Sequence, residues 1–326
     1  MAYRNENLDT LKGLACLLVV LFHSIGAEYT GLKLQTGFYR ELADLLIFIR
    51  MPLFAFLSGV IYSYRPAQGN IKHYVSGKFR RLIVPMFTIG TIFALVQLIT
   101  PGVSLPYKHW YLMHIIPVSL YWFLEAMFFI FMLMILLERL RIFDKVERFI
   151  PAFIASILIS SAGIEIKYFS LSGILYLLPY FLLGSALSRF KVMDKLSPRY
   201  SLVFMLPALI LVVLIGMGAI DYPKKYSPLA IFIGTLSCVS LLSLKFSFSI
   251  FSRIGAYSFS IYLFHAFFTA AVRIIYYKLD IFNPHLILLT AVILGLLCPI
   301  IAELVFKRHN LTRLLFLGLA PTKKIS

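Results

Sequence analysis

Apolar residues dominate this chain in long runs that are separated by short polar breaks. A helix of about 20 apolar residues crosses the hydrocarbon core of a bilayer. The pattern therefore predicts an all-α, polytopic integral membrane bundle of about ten transmembrane helices. No polar break is long enough to fold alone, so we expect a single domain over residues 1–326. The expected spans are residues 8–27, 43–63, 82–99, 118–137, 149–163, 171–188, 200–219, 227–244, 257–277 and 285–306.

Composition agrees with this pattern. The chain is 60% hydrophobic and 14% charged, with a mean hydropathy of +0.89, whereas a soluble domain carries about 25% charged residues. Cys16, Cys238 and Cys298 fall within apolar spans and form no Cys-x-x-Cys pair. They indicate neither a disulfide framework nor a metal site.

Basic residues are concentrated in alternate polar breaks, on the same side as the two termini. The break after the second span is an example, with Lys72, Lys78, Arg80 and Arg81. Because Lys and Arg accumulate in cytoplasmic loops, both termini are expected in the cytoplasm. This asymmetry explains the net charge of +17 without nucleic acid, and anionic membrane lipids are the expected charged partners.

Four ionisable side chains stand out inside the expected spans, namely His23, Arg50, Glu125 and His265. Such groups are costly in a membrane and are usually functional. The topology places His23 ~6 Å, and Arg50 and Glu125 roughly 10 Å, below the outer face. A polar cavity is expected there, with His23 as a general base. The alternatives are a structural Arg50–Glu125 ion pair and, for His265, a hydrogen bond between helices.

The first span carries a second polar residue, Lys12, on the same face as His23. The two are eleven positions apart, which is ~1100° of helical rotation and ~16 Å of rise, so they lie within about 20° of one another. One helix face therefore joins the cytoplasm to the predicted cavity. Asp9, one turn before Lys12, is expected to cap the helix or to pair with Lys12.

Residues 8–23, LDTLKGLACLLVVLFH, resemble the opening of the acyltransferase family 3 membrane proteins, in which a basic residue, ten further residues and a histidine form the signature. Lys12 and His23 fit that signature. The order and spacing of further segments extend the resemblance over essentially the whole chain. These segments are RMPLFAFLSG at 50–59, YWFLE at 121–125, YFLLG at 180–184 and IGAYSFSIYLFH at 254–265.

The family's Arg-x-x-Arg motif, in the cytoplasmic loop after the second span, corresponds to Lys78-Phe79-Arg80-Arg81 in this chain. Lys replaces the first Arg, which keeps a point charge for a phosphate but loses the bidentate fork. The resemblance implies that Lys78, Arg80 and Arg81, with Lys12, bind the phosphates of an acyl-CoA. Anchoring at the cytoplasmic face is the alternative role for this cluster.

The family includes bacterial O-antigen, capsule and exopolysaccharide O-acetyltransferases, and this chain resembles its stand-alone form, without a fused esterase-like domain. The resemblance implies a multi-pass protein of the bacterial plasma (inner) membrane. It would move an acyl group, acetyl by default with succinyl as the alternative, from cytoplasmic acyl-CoA to a hydroxyl of a glycan or lipid-linked saccharide outside. No metal is expected.

The implied catalytic residues are His23, Arg50 and Glu125. His23 would deprotonate the acceptor or carry the acyl group, Arg50 would stabilise the oxyanion or position the acceptor, and Glu125 would orient one of them. Aromatic residues near the outer interface could stack on sugars or form an anchoring belt. The candidates for acceptor binding are Trp110, Tyr111, Tyr121, Trp122 and, inside the membrane, His265.

Two other functions use the same polar residues. A transporter or flippase for a lipid-linked saccharide would place them along a substrate path, and a non-catalytic export partner could keep the same fold. Paired Gly or Pro interruptions in matching halves of the chain, typical of transporters, are not evident in the sequence. Both a monomer and a homo-oligomer are compatible with these features.

Overall fold

The computed structural model describes residues 5–26, 31–67, 69–100 and 110–321, apart from the side chain of Trp110. Within these ranges the protein is helical and contains no strand, which confirms the all-α prediction. The helices are α1 (Glu6–Ile25), α2 (Phe38–Leu45), α3 (Arg50–Tyr64), α4 (Ile71–Lys78), α5 (Val84–Ile99), α6 (Trp122–Arg139), α7 (Val146–Ser161), α8 (Leu171–Arg189), α9 (Val192–Lys195), α10 (Pro198–Gly216), α11 (Pro228–Ser243), α12 (Ser249–Ala256), α13 (Ser258–Lys278), α14 (Pro284–Phe306) and α15 (Asn310–Leu317).

Eight helical segments among the described residues are long and apolar enough to cross a membrane, and each overlaps a predicted span. They are Glu6–Ile25, Phe38–Tyr64, Ile71–Ile99, Ser119–Arg139, Tyr168–Arg189, Pro198–Gly216, Ser258–Lys278 and Pro284–Phe306. The other two predicted spans coincide with α7 and α11, which have 16 residues each. At 1.5 Å per residue these helices are ~24 Å long, shorter than a hydrocarbon core of about 30 Å. The total of ten spans and the orientation of the termini stay predictions.

The chain divides by its internal contacts into two compact units, and each unit is discontinuous in sequence. The first unit comprises Met1–Pro66, Leu140–Ile164 and Leu175–Ser258, and the second comprises Ala67–Arg139, Glu165–Ile174 and Phe259–Ser326. The prediction of one domain is not tested by this division.

In the first unit, pairs of glycines let helices pack backbone against backbone. A Cβ on Gly13 of α1 would overlap the backbone of Phe251 in α12, and one on Gly255 of α12 would overlap the carbonyl of Asp9. Such close approach through small residues is a common way for membrane helices to associate. The contact fixes α1 against α12 just beside Lys12.

A second glycine pair joins α3 to α8 in the same way. A Cβ on Gly59 would overlap the carbonyl of Phe181, and one on Gly184 would overlap the carbonyl of Phe56. The hydroxyl of Ser185 also donates to the carbonyl oxygen of Gly59, at 3.1 Å. Glycines in three of the segments that carry the family resemblance, 50–59, 180–184 and 254–265, therefore serve helix packing.

In the second unit, tyrosine hydroxyls bridge α6 and α13. Tyr121, which directly precedes α6, donates from its hydroxyl to the carbonyl oxygen of Leu263 at 3.0 Å, and the hydroxyl of Tyr262 donates to the carbonyl oxygen of Leu120. Buried backbone carbonyls need donors. The two bonds thus tie the start of α6 to the second turn of α13.

Candidate active site

His23 lies in the last turn of α1, two residues before the helix ends at Ile25. The chain leaves the helix at Gly26, whose φ of 85° suits glycine, and the Gly26 N–H donates to the carbonyl oxygen of Phe22 at 2.7 Å. The Leu32 N–H donates to the carbonyl oxygen of Ile25 at 2.8 Å. These bonds close the end of α1, so the half-buried side chain of His23 has a defined place there.

The polar residues in the first turns of α1 cap the helix and form an ion pair within it. Asn5 caps the helix by accepting from the Leu8 N–H at 3.2 Å. Asp9 does not act as the cap, and its carboxylate instead pairs with the Lys12 ammonium at 2.9 Å. The predicted Asp9–Lys12 pair is therefore confirmed.

Arg50 owes its position to a break in the second predicted span. Helix α2 ends at Leu45, a 3-10 turn follows over Leu46–Phe48, and Ile49 leaves helical geometry with φ −125° and ψ −36°. Arg50 is then the first residue of α3. Because the N-terminus of a helix carries partial positive charge, the break adds to the positive potential of the guanidinium.

Tyrosine hydroxyls satisfy the backbone at this break. Tyr222 donates to the carbonyl oxygen of Asp44, and Tyr176 donates to that of Ile47 at 3.1 Å. Irregular backbone at membrane depth needs such partners. Burial raises the pKa of Tyr222 to about 12, against the opposing charges of Arg40 and Arg50. The Tyr222 hydroxyl therefore keeps its proton at neutral pH.

Arg50 and His23 both contact the aromatic ring of Phe22. The guanidinium carbon of Arg50 lies 3.3 Å from the centroid of the Phe22 ring, a cation–π contact. The rings of Phe22 and His23 meet edge to face, with centroids 5.2 Å apart. The first unit thus gathers two of the three predicted catalytic residues in one neighbourhood at the end of α1, which we call the His23–Arg50 site.

Glu125 belongs to the second unit, in the first turn of α6. Its side chain is buried, and the Ser170 hydroxyl donates to Oε2 at 2.7 Å. Ser170 and the preceding Phe169 have positive φ values of 52° and 51°, which turn the chain just before α8. Within its unit Glu125 is a hydrogen-bonded carboxylate, and its predicted roles toward His23 and Arg50 stay predictions.

The acceptor candidates in the second unit are mostly engaged in packing. His265 is fully buried, and its Nδ1 lies 2.8 Å from the carbonyl oxygen of Ile261 and 2.9 Å from that of Tyr262. This hydrogen bonding is within its own helix. Tyr121 is fully buried as well, so its ring offers no face to a sugar in this arrangement.

The remaining aromatic candidates differ in exposure. Trp122 packs tightly on Gly173, where a Cβ would lie 2.7 Å from the indole Cζ3. Tyr111 is 66% exposed, and the side chain of Trp110 lies outside the described residues. Of the two whose side chains are described, Tyr111 presents the more exposed ring.

The basic motif lies on a helix, not in the loop that the sequence suggested. Residues Ile71–Ile99 form one helical segment, in which a π-helical turn, Phe79–Ile83, joins α4 to α5. The Val84 N–H accordingly bonds to the carbonyl of Phe79, five residues back. Such π turns inside α-helices often occur at functional sites. Residues 78–81, which we call the cation segment, begin at the last residue of α4 and continue into this turn.

The cations of the segment rest on aromatic rings of the second unit. The Lys78 ammonium lies 3.4 Å from the centroid of the Phe131 ring. The guanidinium carbon of Arg81 lies 3.7 Å from the centroid of the Phe259 ring, and its Nη1 donates to the carbonyl oxygen of Leu317. Arg80, which lies between these two residues in the sequence, is half-buried. These contacts hold the charges in fixed places.

A buried carboxylate that the sequence analysis missed, Glu303 of α14, also belongs to this region. The Ser260 hydroxyl donates to Glu303, Lys307 forms an ion pair with it, and its charge attracts the guanidinium of Arg81. The criterion that singled out Glu125, an acid within an apolar span, applies equally to Glu303. Its position near the end of the last span made it resemble a boundary residue.

These features define a polytopic, all-helical membrane protein with ionisable side chains held at helix ends, breaks and turns. A family model of acyltransferase family 3, described as an acyltransferase domain, matches residues 5–304, nearly the whole chain. The chain therefore belongs to acyltransferase family 3 and is a membrane acyltransferase. No curated protein and no solved structure matches it.

Proposed function

We propose that this protein is an O-acyltransferase of the bacterial plasma membrane, with both termini in the cytoplasm. It would transfer an acyl group, acetyl by preference, from cytoplasmic acetyl-CoA to a hydroxyl of a glycan or lipid-linked saccharide at the extracytoplasmic side. The observation that carries this proposal is the His23–Arg50 site. There a base and a cation that stabilises negative charge lie together at the end of α1.

The proposed donor contacts follow from charge. The phosphates of CoA bind cations on the cytoplasmic side, and the cation segment supplies Lys78, Arg80 and Arg81 in the second unit. In the first unit, Lys12 lies on the α1 face that leads toward His23. The thioester sits on a long flexible arm of CoA, which lets the acyl group travel while the charged nucleotide stays at the membrane surface.

The chemistry is a direct transfer. His23 takes the proton of the acceptor hydroxyl, and the resulting oxygen nucleophile attacks the thioester carbonyl carbon. Arg50, reinforced by the N-terminus of α3, stabilises the oxyanion that forms. When the intermediate collapses, the C–S bond breaks and the imidazolium of His23 returns the proton to the CoA thiolate. A transient acyl-histidine is the alternative route.

Glu125 is the third proposed catalytic residue. Its burial and its bond to Ser170 give the carboxylate a fixed position in the second unit. Replacement by Gln keeps a side chain of the same shape that can still accept from Ser170. Loss of activity in Glu125→Gln would therefore report on the charge of this residue.

The sidedness of the reaction tests the proposal. Membrane vesicles of both orientations, with labelled acetyl-CoA outside and acceptor inside, should show acylated acceptor only when the cytoplasmic face meets the donor. The reaction should continue without an ion gradient, because thioester cleavage is itself favourable. Released CoA should stay on the donor side.

The same experiment separates the rival function. The break between α2 and α3 is a feature that transporters also use around their substrates. A transporter or flippase would move the saccharide across the bilayer without acylating it. That result, or acylation only when donor and acceptor share the cytoplasmic side, contradicts the proposed through-membrane transfer.

A further inference from the structure

The carboxyl-terminal helix α15 lies beyond the residues matched by the family, 5–304, and returns to the cation segment within the second unit. The carbonyl oxygen of Leu317, the last residue of α15, accepts from Arg81. The carbonyl oxygen of Leu315 accepts from the Thr88 hydroxyl of α5 at 2.6 Å. Leu317 is fully buried. The end of α15 is therefore docked on the helix that carries the basic motif.

Gly318, which follows α15, brings the two backbones into direct contact. Its φ of 60° is in the left-handed region, and a Cβ there would overlap the carbonyl of Arg80 and would lie 2.7 Å from the Cα of Arg81. Only glycine fits such a position without displacement. Gly69 offers a contrast in the same unit, since its φ is 77° but nothing lies within 4 Å of its Cβ position.

The docking acts on the orientation of Arg81. The last carbonyls of a helix carry partial negative charge, and Leu317 aims one of them at the guanidinium. The Phe259 ring faces the guanidinium as well, at 3.7 Å. A guanidinium has five N–H donors. The bond to Leu317 fixes the direction of the guanidinium and uses one of these donors, so the others stay able to bind further acceptors.

We propose that the end of α15, through Leu317 and Gly318, is a positioning element for Arg81 and thereby sets the affinity of the protein for the phosphates of its acyl-CoA donor. This inference rests on the proposed function, which assigns Arg81 to the donor phosphates. Leu317 and Gly318 are positioning residues, since they act through Arg81 and do not themselves contact the donor.

The test compares two glycine variants of the full chain in lipid nanodiscs, with CoA as the titrated ligand and acyl transfer as a second readout. Gly318→Ala should weaken CoA binding about tenfold and raise the donor KM to match, because Arg81 loses its fixed direction. The kcat should stay within about twofold of wild type, because the catalytic groups are unchanged. Gly69→Ala, which has similar backbone strain without a clash, should bind CoA as wild type does.

A milder pair of variants keeps the test valid if Gly318→Ala does not insert. Thr88→Val removes the bond to Leu315 and should weaken CoA binding about threefold. Thr91→Val is its control, because the Thr91 hydroxyl bonds to Phe87 of its own helix. Equal CoA affinity in wild type, Gly318→Ala and Thr88→Val would overturn the inference.

A double-mutant cycle decides whether α15 acts through Arg81. In the background of Arg81→Ala, Gly318→Ala should cause little further loss of CoA affinity. If the two losses add, α15 acts elsewhere and the inference fails. If wild type itself binds no CoA, the proposed function fails instead, so the two failures are distinguishable.

Discussion

The His23–Arg50 site and the cation segment hold their charges in different ways. In the first, both residues are at helix termini, His23 at the end of α1 and Arg50 at the start of α3. In the second, Lys78 and Arg81 are inside a continuous helical segment and rest on aromatic rings. A terminus offers backbone dipoles and a change of direction, whereas the face of an aromatic ring attracts a cation and holds it in position.

This difference fits the two tasks that we propose. Proton transfer and oxyanion stabilisation need groups placed to a fraction of an ångström, and a broken helix fixes the direction of a side chain. Donor binding needs a durable positive potential that phosphates can reach. Substitutions at the first site should therefore lower kcat, and substitutions at the second should raise the donor KM.

The largest effect is expected at His23. His23→Ala should lower acyl transfer by about a thousandfold or more, because the general base is lost, while CoA binding stays as in wild type. His285→Ala, a change at an exposed histidine at the start of α14, is the control. The measurement is transfer per folded protein in nanodiscs. Substantial activity in His23→Ala at normal expression contradicts the assignment.

The next largest loss of activity is expected at Arg50. Arg50→Ala should reduce kcat by about a hundredfold or more, which is typical for loss of an oxyanion contact. Arg50→Lys should recover part of this loss, since the charge is kept and the planar fork is not. Steady-state kinetics at saturating donor give the comparison. A rise in donor KM with unchanged kcat would assign Arg50 to donor binding. It would also contradict the difference in function between the His23–Arg50 site and the cation segment.

The double variant Lys78→Ala/Arg81→Ala should weaken donor binding by about tenfold to a hundredfold, with a smaller change in kcat. The loss should shrink as salt is added, because screening also weakens the wild-type contacts. Titration of CoA at low and high ionic strength measures this. If donor affinity is unchanged and only membrane insertion suffers, the cation segment serves as a topological anchor.

The smallest effect is expected at the helix break. Tyr222→Phe removes the bond to the Asp44 carbonyl and should lower kcat about threefold, because the residue is partly exposed and water can replace the donor. The raised pKa of Tyr222, about 12, keeps the hydroxyl protonated at lower pH, so the donated bond is lost only as pH rises through that value. The ratio of wild-type to Tyr222→Phe activity should therefore stay constant between about pH 6 and about pH 10. A step in this ratio within that range would contradict the assignment.

Side-chain chemistry along single helices could be predicted in part. The Asp9–Lys12 pair was predicted because both partners lie within one turn of α1. The break before Arg50 was not, although Pro52 in the first turn of α3 is compatible with a helix start there, because the donors that stabilise the break, Tyr176 and Tyr222, come from distant parts of the sequence. The helical state of the cation segment was missed because its charges resemble a loop.

The sequence by itself determined the helical class of this protein and the approximate limits of eight helical segments that are long and apolar enough to cross a bilayer, because hydropathy over about 20 residues is a local property. The order and spacing of its motifs also determined its family. The tertiary structure alone decided which polar groups meet. The Arg81–Leu317 bond joins residues 236 positions apart, and the Gly13–Gly255 contact spans a similar distance. Such pairings depend on which helix faces touch, and membrane helices choose their neighbours by close packing and hydrogen bonding that no local pattern encodes.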